Sequence, residues 1–185
     1  MEPSARSTPS LRITRPIVLI GLMGVGKSTV GKRLAARLGL SFVDSDEEIE
    51  EVSGYTIPEM FSRFGEASFR DGERRVVKRL IDGGPKVMAT GGGVFINPET
   101  RAVILERATT VWLDADVGVL AERVRRRDTR PLLRGQDAGA VLTRLAAERR
   151  PIYAEAHLHV RTEAVPHGRA VDAIMAALAS QPDIL

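Results

Sequence analysis

The stretch GLMGVGKST, Gly21 to Thr29, has the spacing G-x-x-x-x-G-K-[ST] and stands directly after the apolar run Pro16–Ile20 and before a segment with helical periodicity. This strand, glycine loop and helix constrain the fold more than any other feature. Glycines let the backbone curl until its N–H groups point inward, and the following helix adds partial positive charge at its N-terminus. Gly24, Val25, Gly26, Lys27, Ser28 and Thr29 are therefore candidate contacts for a nucleotide's phosphates. Lys27 suits the outer phosphates and Ser28 a magnesium ion. The bland alternative is a glycine turn capped by Ser28 and Thr29. A dinucleotide-binding loop fits less well, because Gly24-Val25-Gly26 is followed three residues on by Thr29, not glycine.

Around this loop the chain alternates. Apolar runs at Pro16–Ile20, Ser41–Val43, Lys86–Ala89, Thr109–Leu113 and His157–Val160 are separated by helical patterns near 27–38, 46–52, 57–63, 66–81, 98–106, 117–126, 138–149 and 167–179. Such alternation predicts an α/β fold with right-handed crossovers and a parallel sheet covered on both faces. With 185 residues, one domain over 15–180 is expected, flanked by a disordered tail at 1–14 and a short tail at 181–185. The first residues are rich in Ser, Pro and Arg without an apolar core, so a targeting segment is the secondary reading there.

Composition narrows the function classes. Zero cysteines exclude disulfides, thiolate metal sites and a cysteine nucleophile. The balance of +3 is spread among interleaved acids, which disfavours nucleic acid as a partner, and no apolar stretch approaches a membrane span. Arginine outnumbers lysine, and its planar fork suits carboxylate and phosphate. No [NT]-K-x-D sequence for reading a guanine base occurs, and no strand ends in an acidic pair as in motors, so a small-molecule kinase leads.

Several further residues carry possible chemistry. Asp44 and Asp46 in FVDSDEEIE lie just past the second apolar run, where ligands of parallel sheets gather; the alternative, compatible with that role, is that Asp46 or Ser45 caps the next helix. Arg70 in GEASFRDGE and Arg149 in AAERRPIY each read, taken alone, as partners in surface ion pairs. Arg130 lies in RRDTRPLLRGQD, whose Arg, Pro and Gly content suggests a lid, about 124–137, able to carry positive charge onto a transferring phosphoryl group; an RNA-binding patch is the weaker reading. VMATGGGV places Gly91, Gly92 and Gly93 where a metal-binding carboxylate often stands. Side chains there would fill space needed by a ligand close to the backbone, and a flexible turn is the simpler alternative.

Together these segments resemble the shikimate kinases: GLMGVGKSTVG, FVDSDEEIE, FGEASFRDGE, ATGGG, RPLL and ERRPIY occur in that family's order, over Pro16 to about Ile174. The resemblance implies a three-layer P-loop kinase fold with five parallel strands in order 2-3-1-4-5, a lid and a substrate-binding segment at about 45–75. It implies ATP and shikimate as partners, magnesium as cofactor, and transfer of phosphate to the 3-hydroxyl of shikimate by a cytoplasmic monomer. It assigns Asp46 to the ring hydroxyls and to the 3-hydroxyl proton, and Asp44, through water, with Ser28, to magnesium. Arg70 and Arg149 take the substrate carboxylate, Gly91 to Gly93 line the ring, and Arg130 with Lys27 faces the phosphates. Arg123 and Pro166 flank the adenine. The rivals are another small P-loop kinase acting on gluconate or a nucleotide, and a non-catalytic module that keeps the fold.

Overall fold

Five short strands run parallel, and their pairing fixes everything near the phosphate loop. β1 (Ile17–Ile20) pairs with β3 (Val87–Ala89) on one side and β4 (Thr109–Asp114) on the other; β2 (Phe42–Asp44) and β5 (Leu158–Arg161) form the edges. The order is β2-β3-β1-β4-β5, as the resemblance implies. The computed structural model describes residues 11–126, 137–162 and 167–185.

Burial explains which runs occupy the centre. β1, β3 and β4 are buried at every residue, the mark of strands covered on both faces, whereas β5 alternates buried and exposed as an edge strand should. Helices α1 (Lys27–Leu38), α2 (Ser45–Ser53), α3 (Ile57–Asp82), α4 (Pro98–Arg107), α5 (Val117–Arg125), α6 (Ala138–Tyr153) and α7 (His167–Ser180) connect and cover the strands. A second small cluster of Ile49, Met60 and Phe69, edged by Tyr55, Ile57 and Val76, holds α2 and α3 together within the segment expected to bind substrate.

Several element ends differ from the sequence reading for identifiable reasons. The two helices expected at 57–63 and 66–81 form one element broken at Gly65, whose φ of 78° and ψ of 168° no helix permits. The helix expected to stop at 149 continues to Tyr153 with Pro151 inside its last turn. Leu11 and Ile13, within the stretch read as a tail, are partly buried against the core, and Thr14 Oγ1 donates to the Leu185 carbonyl. At the other end Pro182–Ile184 forms a 3₁₀ turn, Thr109 Oγ1 donates to the Ile184 carbonyl, and both Ile184 and Leu185 touch the core. The described ends thus close against each other instead of trailing away.

Because all strands point the same way, the phosphate loop, Asp44, the glycine triplet, Asp114 and Thr162 leave the sheet along one edge. The approach of α1 to β2 depends on Gly31: a Cβ there would lie 2.5 Å from the Phe42 ring and 3.3 Å from Leu19. Gly31→Val should therefore destabilise the fold by about 1–3 kcal/mol, read as a lower urea midpoint at unchanged slope.

Candidate active site

Local geometry shapes the phosphate loop first. Gly21, Gly24 and Gly26 all have positive φ, at 145°, 82° and 96°. Gly21 has a steric reason as well, since any Cβ would strike the Leu113 carbonyl of the neighbouring strand β4. Gly26 caps α1 without a side chain, so the N-terminal amides of the helix face the loop, where anions bind. Lys27 folds over this loop, with Nζ donating to the carbonyls of Gly21 at 2.7 Å and Leu22 at 3.1 Å. Arg123 on α5 reaches the same loop, its Nη1 donating to the Gly24 carbonyl at 3.4 Å.

The second strand contributes a carboxylate to this loop. Ser28 Oγ donates to Asp44 Oδ2 at 2.6 Å, while Asp44 Oδ1 accepts the N–H of Asp46 at 3.0 Å. Asp44 is thus the N-cap of α2, and neither Asp46 nor Ser45 has that task. The reason is conformational: Asp44 has extended φ/ψ of −106° and 123°, as an N-cap requires, and Asp46 already lies in the first helical turn. Ser45 is fully buried, and its Oγ accepts the Gly91 N–H at 3.2 Å. The hydroxyl of Ser28 and Oδ2 of Asp44 form a hard-oxygen pair suited to magnesium, which binds few protein oxygens and keeps several waters.

Gly91, Gly92 and Gly93 bring the remaining groups together. A Cβ on Gly91 would lie 2.7 Å from Asp46 Oδ1, one on Gly92 3.0 Å from Arg149 Nη1, and one on Gly93 2.7 Å from Arg70 Nη1. Each glycine therefore faces a different charged side chain. None of the three has positive φ, so what a side chain would meet here is a lack of space and not a forbidden backbone conformation. The Gly92 carbonyl accepts two donors, Arg149 Nη1 at 3.0 Å and Tyr153 Oη at 2.7 Å.

The ion-pair reading of the sequence holds for Arg70, though its main partner is buried, while Arg149 donates to a backbone carbonyl. Arg70 Nη1 pairs with Glu73 at 2.8 Å, one turn along α3, and its guanidinium lies 5.2 Å from the Phe69 ring centre. Glu73 is only 6% exposed; burial pushes its carboxyl above the usual glutamate value, with Arg70 pulling the other way. Tyr153, 1% exposed and packed near Phe95 and Trp112, has its hydroxyl pushed up by burial against the opposing effect of Arg149. Sequence reasoning missed Glu73 and Tyr153. Their spacings from Arg70 (i+3) and Arg149 (i+4) put each on its arginine's helix face, which was the available signal. Arg130 and Pro166 lie outside the described residues.

Comparison with known proteins identifies the family and the fold. The family described as Shikimate kinase matches residues 23–179. A shikimate kinase of Caulobacter vibrioides is 59% identical over 164 residues, covering 89% of this chain and 82% of that protein. Among solved structures, a shikimate kinase from Acinetobacter baumannii in complex with shikimate superposes with a TM-score of 0.86 at 36% identity, covering 90% of this chain and 94% of that one. A gluconokinase from Sinorhizobium meliloti reaches a TM-score of 0.61 at 21% identity, covering 91% and 94%, a likeness of fold alone.

The loop geometry makes a direct prediction. Lys27→Met keeps the aliphatic stem but removes the cation, so affinity for a nucleoside triphosphate should fall about 10- to 100-fold with the thermal midpoint little changed. Calorimetric titration with a non-hydrolysable triphosphate checks this.

Proposed function

The chain belongs to the shikimate kinase family, and on that premise we propose that its strand-end site aligns the 3-hydroxyl of shikimate with the terminal phosphate of ATP. The activity is that of the family: ATP phosphorylates the 3-hydroxyl of shikimate to give shikimate 3-phosphate and ADP, on the route to chorismate and the aromatic amino acids. The observation that carries the residue assignment is the glycine strip, with one carboxylate and two guanidiniums each against a separate glycine. A hydroxylated ring carrying one carboxylate has matching chemistry.

Phosphoryl transfer asks a protein for alignment and charge neutralisation. In this reading the loop amides and Lys27 hold the phosphates, and Lys27 exchanges carbonyl acceptors for phosphate oxygens. Ser28 and Asp44, the latter through water, hold magnesium, which when bound offsets phosphate charge. Arg123 and Pro166 flank the adenine, and Arg130 supplies positive charge from the lid. Asp46 accepts hydrogen bonds from the ring hydroxyls and takes the 3-hydroxyl proton. Arg70 and Arg149 fix the carboxylate with charge-assisted contacts, and Gly91 to Gly93 let the ring approach the backbone. The enzyme works as a cytoplasmic monomer; among the described residues no helix is long and apolar enough to cross a membrane.

Shikimate-dependent ADP release in a coupled assay is the first test. A panel including gluconate and nucleoside monophosphates should give only background ADP, and ADP release independent of shikimate would overturn the assignment. Two variants then separate binding from chemistry. Asp46→Asn should lower kcat about 10²- to 10⁴-fold while triphosphate binding persists. Gly93→Ala, which must displace Arg70, should instead raise the shikimate KM roughly tenfold, and unchanged kinetics would return the strip to ordinary turn chemistry.

A further inference from the structure

The last turn of α6 has a gap in its backbone bonding. Pro151 has no N–H to give to the Ala147 carbonyl, yet the helix continues to Tyr153, and the Ala154 N–H still bonds the Arg150 carbonyl at 3.0 Å. Side chains secure this turn from two directions. Arg149 and Tyr153 share a face and meet at the Gly92 carbonyl. Arg150, about 100° further round the helix, donates through Nη2 to Asp114 Oδ1 at 3.1 Å and to the Ala115 carbonyl at 3.0 Å.

Asp114 is a junction. Its side chain is 11% exposed; His159 Nε2 lies 3.4 Å from Oδ2, and the His159 ring stacks on Trp112 with centres 4.0 Å apart and planes 9° from parallel. Its backbone carbonyl accepts the Thr162 N–H at 2.6 Å and the Thr162 hydroxyl at 3.2 Å. The preceding carbonyl, that of Leu113, is the one that faces Gly21 of the phosphate loop. Arg150 Nε is buried with no hydrogen-bond partner among the described residues, while the side chain as a whole is 38% exposed, so the guanidinium is partly desolvated on the side that faces Asp114.

We propose that the Arg150–Asp114 pair is a positioning pair for Arg149. It fixes the rotation of a helix end that Pro151 leaves short of a backbone bond, and so sets where the neighbouring guanidinium meets the substrate carboxylate. This rests on the assignment of Arg149 to that carboxylate. Neither Arg150 nor Asp114 touches substrate; they act through Arg149.

A double-mutant cycle tests the pair. Arg150→Met keeps most of the packing and removes the charge; it should raise the shikimate KM roughly three- to tenfold, with kcat and the ATP KM within about twofold. Asp114→Asn should give the same pattern, and the two changes together should cost no more than the larger alone. In an Arg149→Ala background, Arg150→Met should add less than about 1.5-fold. An unchanged shikimate KM, an equal rise in the ATP KM, or a full additive effect without Arg149 would overturn the proposal. If Arg149→Ala itself leaves the shikimate KM unaltered, the assignment of Arg149 fails and the pair's proposed role with it. If Arg150→Met does not fold, Asp114→Asn alone and in the Arg149→Ala background gives the same decision.

Discussion

The site depends on three consecutive residues that carry no side chain. Gly91, Gly92 and Gly93 cross the end of the sheet where α2, α3 and α6 converge, and each faces a charged group from a different helix. Asp46, Arg149 and Arg70 are far apart in sequence, so their separation is set by what they touch in common. That surface is backbone, with no Cβ to hold the charged groups away. Its polarity is also used, since the Gly92 carbonyl is paired by Arg149 and Tyr153 and the Gly91 N–H by Ser45. One strip therefore acts as spacer and hydrogen-bonding partner together.

A second constraint joins this strip to the phosphate loop. β1 and β2 are not neighbours, because β3 lies between them, yet Ser28 and Asp44 bridge the gap at 2.6 Å. The Asp44 carboxylate divides its oxygens between the loop serine and the N–H of Asp46. The residue proposed to hold magnesium thus also caps the helix that carries Asp46. A rotation of Asp44 would break its contacts with both Ser28 and Asp46, so on the proposed assignment one side chain would couple phosphate placement to hydroxyl placement.

Much of this was legible in the sequence because local rules dictate it. The phosphate loop, the strands and most helices follow from glycine spacing and apolar periodicity, and each strand was located to within one residue. Strand order was not readable from periodicity and came from family resemblance alone. The identity of the α2 cap depended on a one-residue difference in where β2 ends, which periodicity does not resolve. Pro151 signalled a helix stop, but tertiary contacts from Arg149, Arg150 and Tyr153 keep the turn intact. Glu73 was not singled out in the sequence because its burial comes from the fold and not from its sequence neighbours. The glycine triplet announced itself, but its reason could be found only once the three facing side chains were placed.

The two arginines differ in what compensates them, and the difference bears on selectivity. Arg70 has a buried carboxylate, Glu73, at 2.8 Å, so its charge is largely balanced within the protein. Its contact with Glu66 at 3.6 Å is solvent-exposed and adds little. Arg149 instead donates to a neutral carbonyl. On the proposed assignment, an incoming carboxylate would gain most of its charge pairing at Arg149, while Arg70, held by Glu73 and by the rings of Phe61 and Phe69, would supply a fixed donor that orients it. With one guanidinium balanced by a carboxylate and the other, among the described residues, donating to a neutral carbonyl, the proposed pocket would suit a single negative charge better than two. On that assignment the pocket would favour a monocarboxylate ring over a phosphorylated sugar or nucleotide, and would leave the doubly charged chemistry to the loop at Lys27.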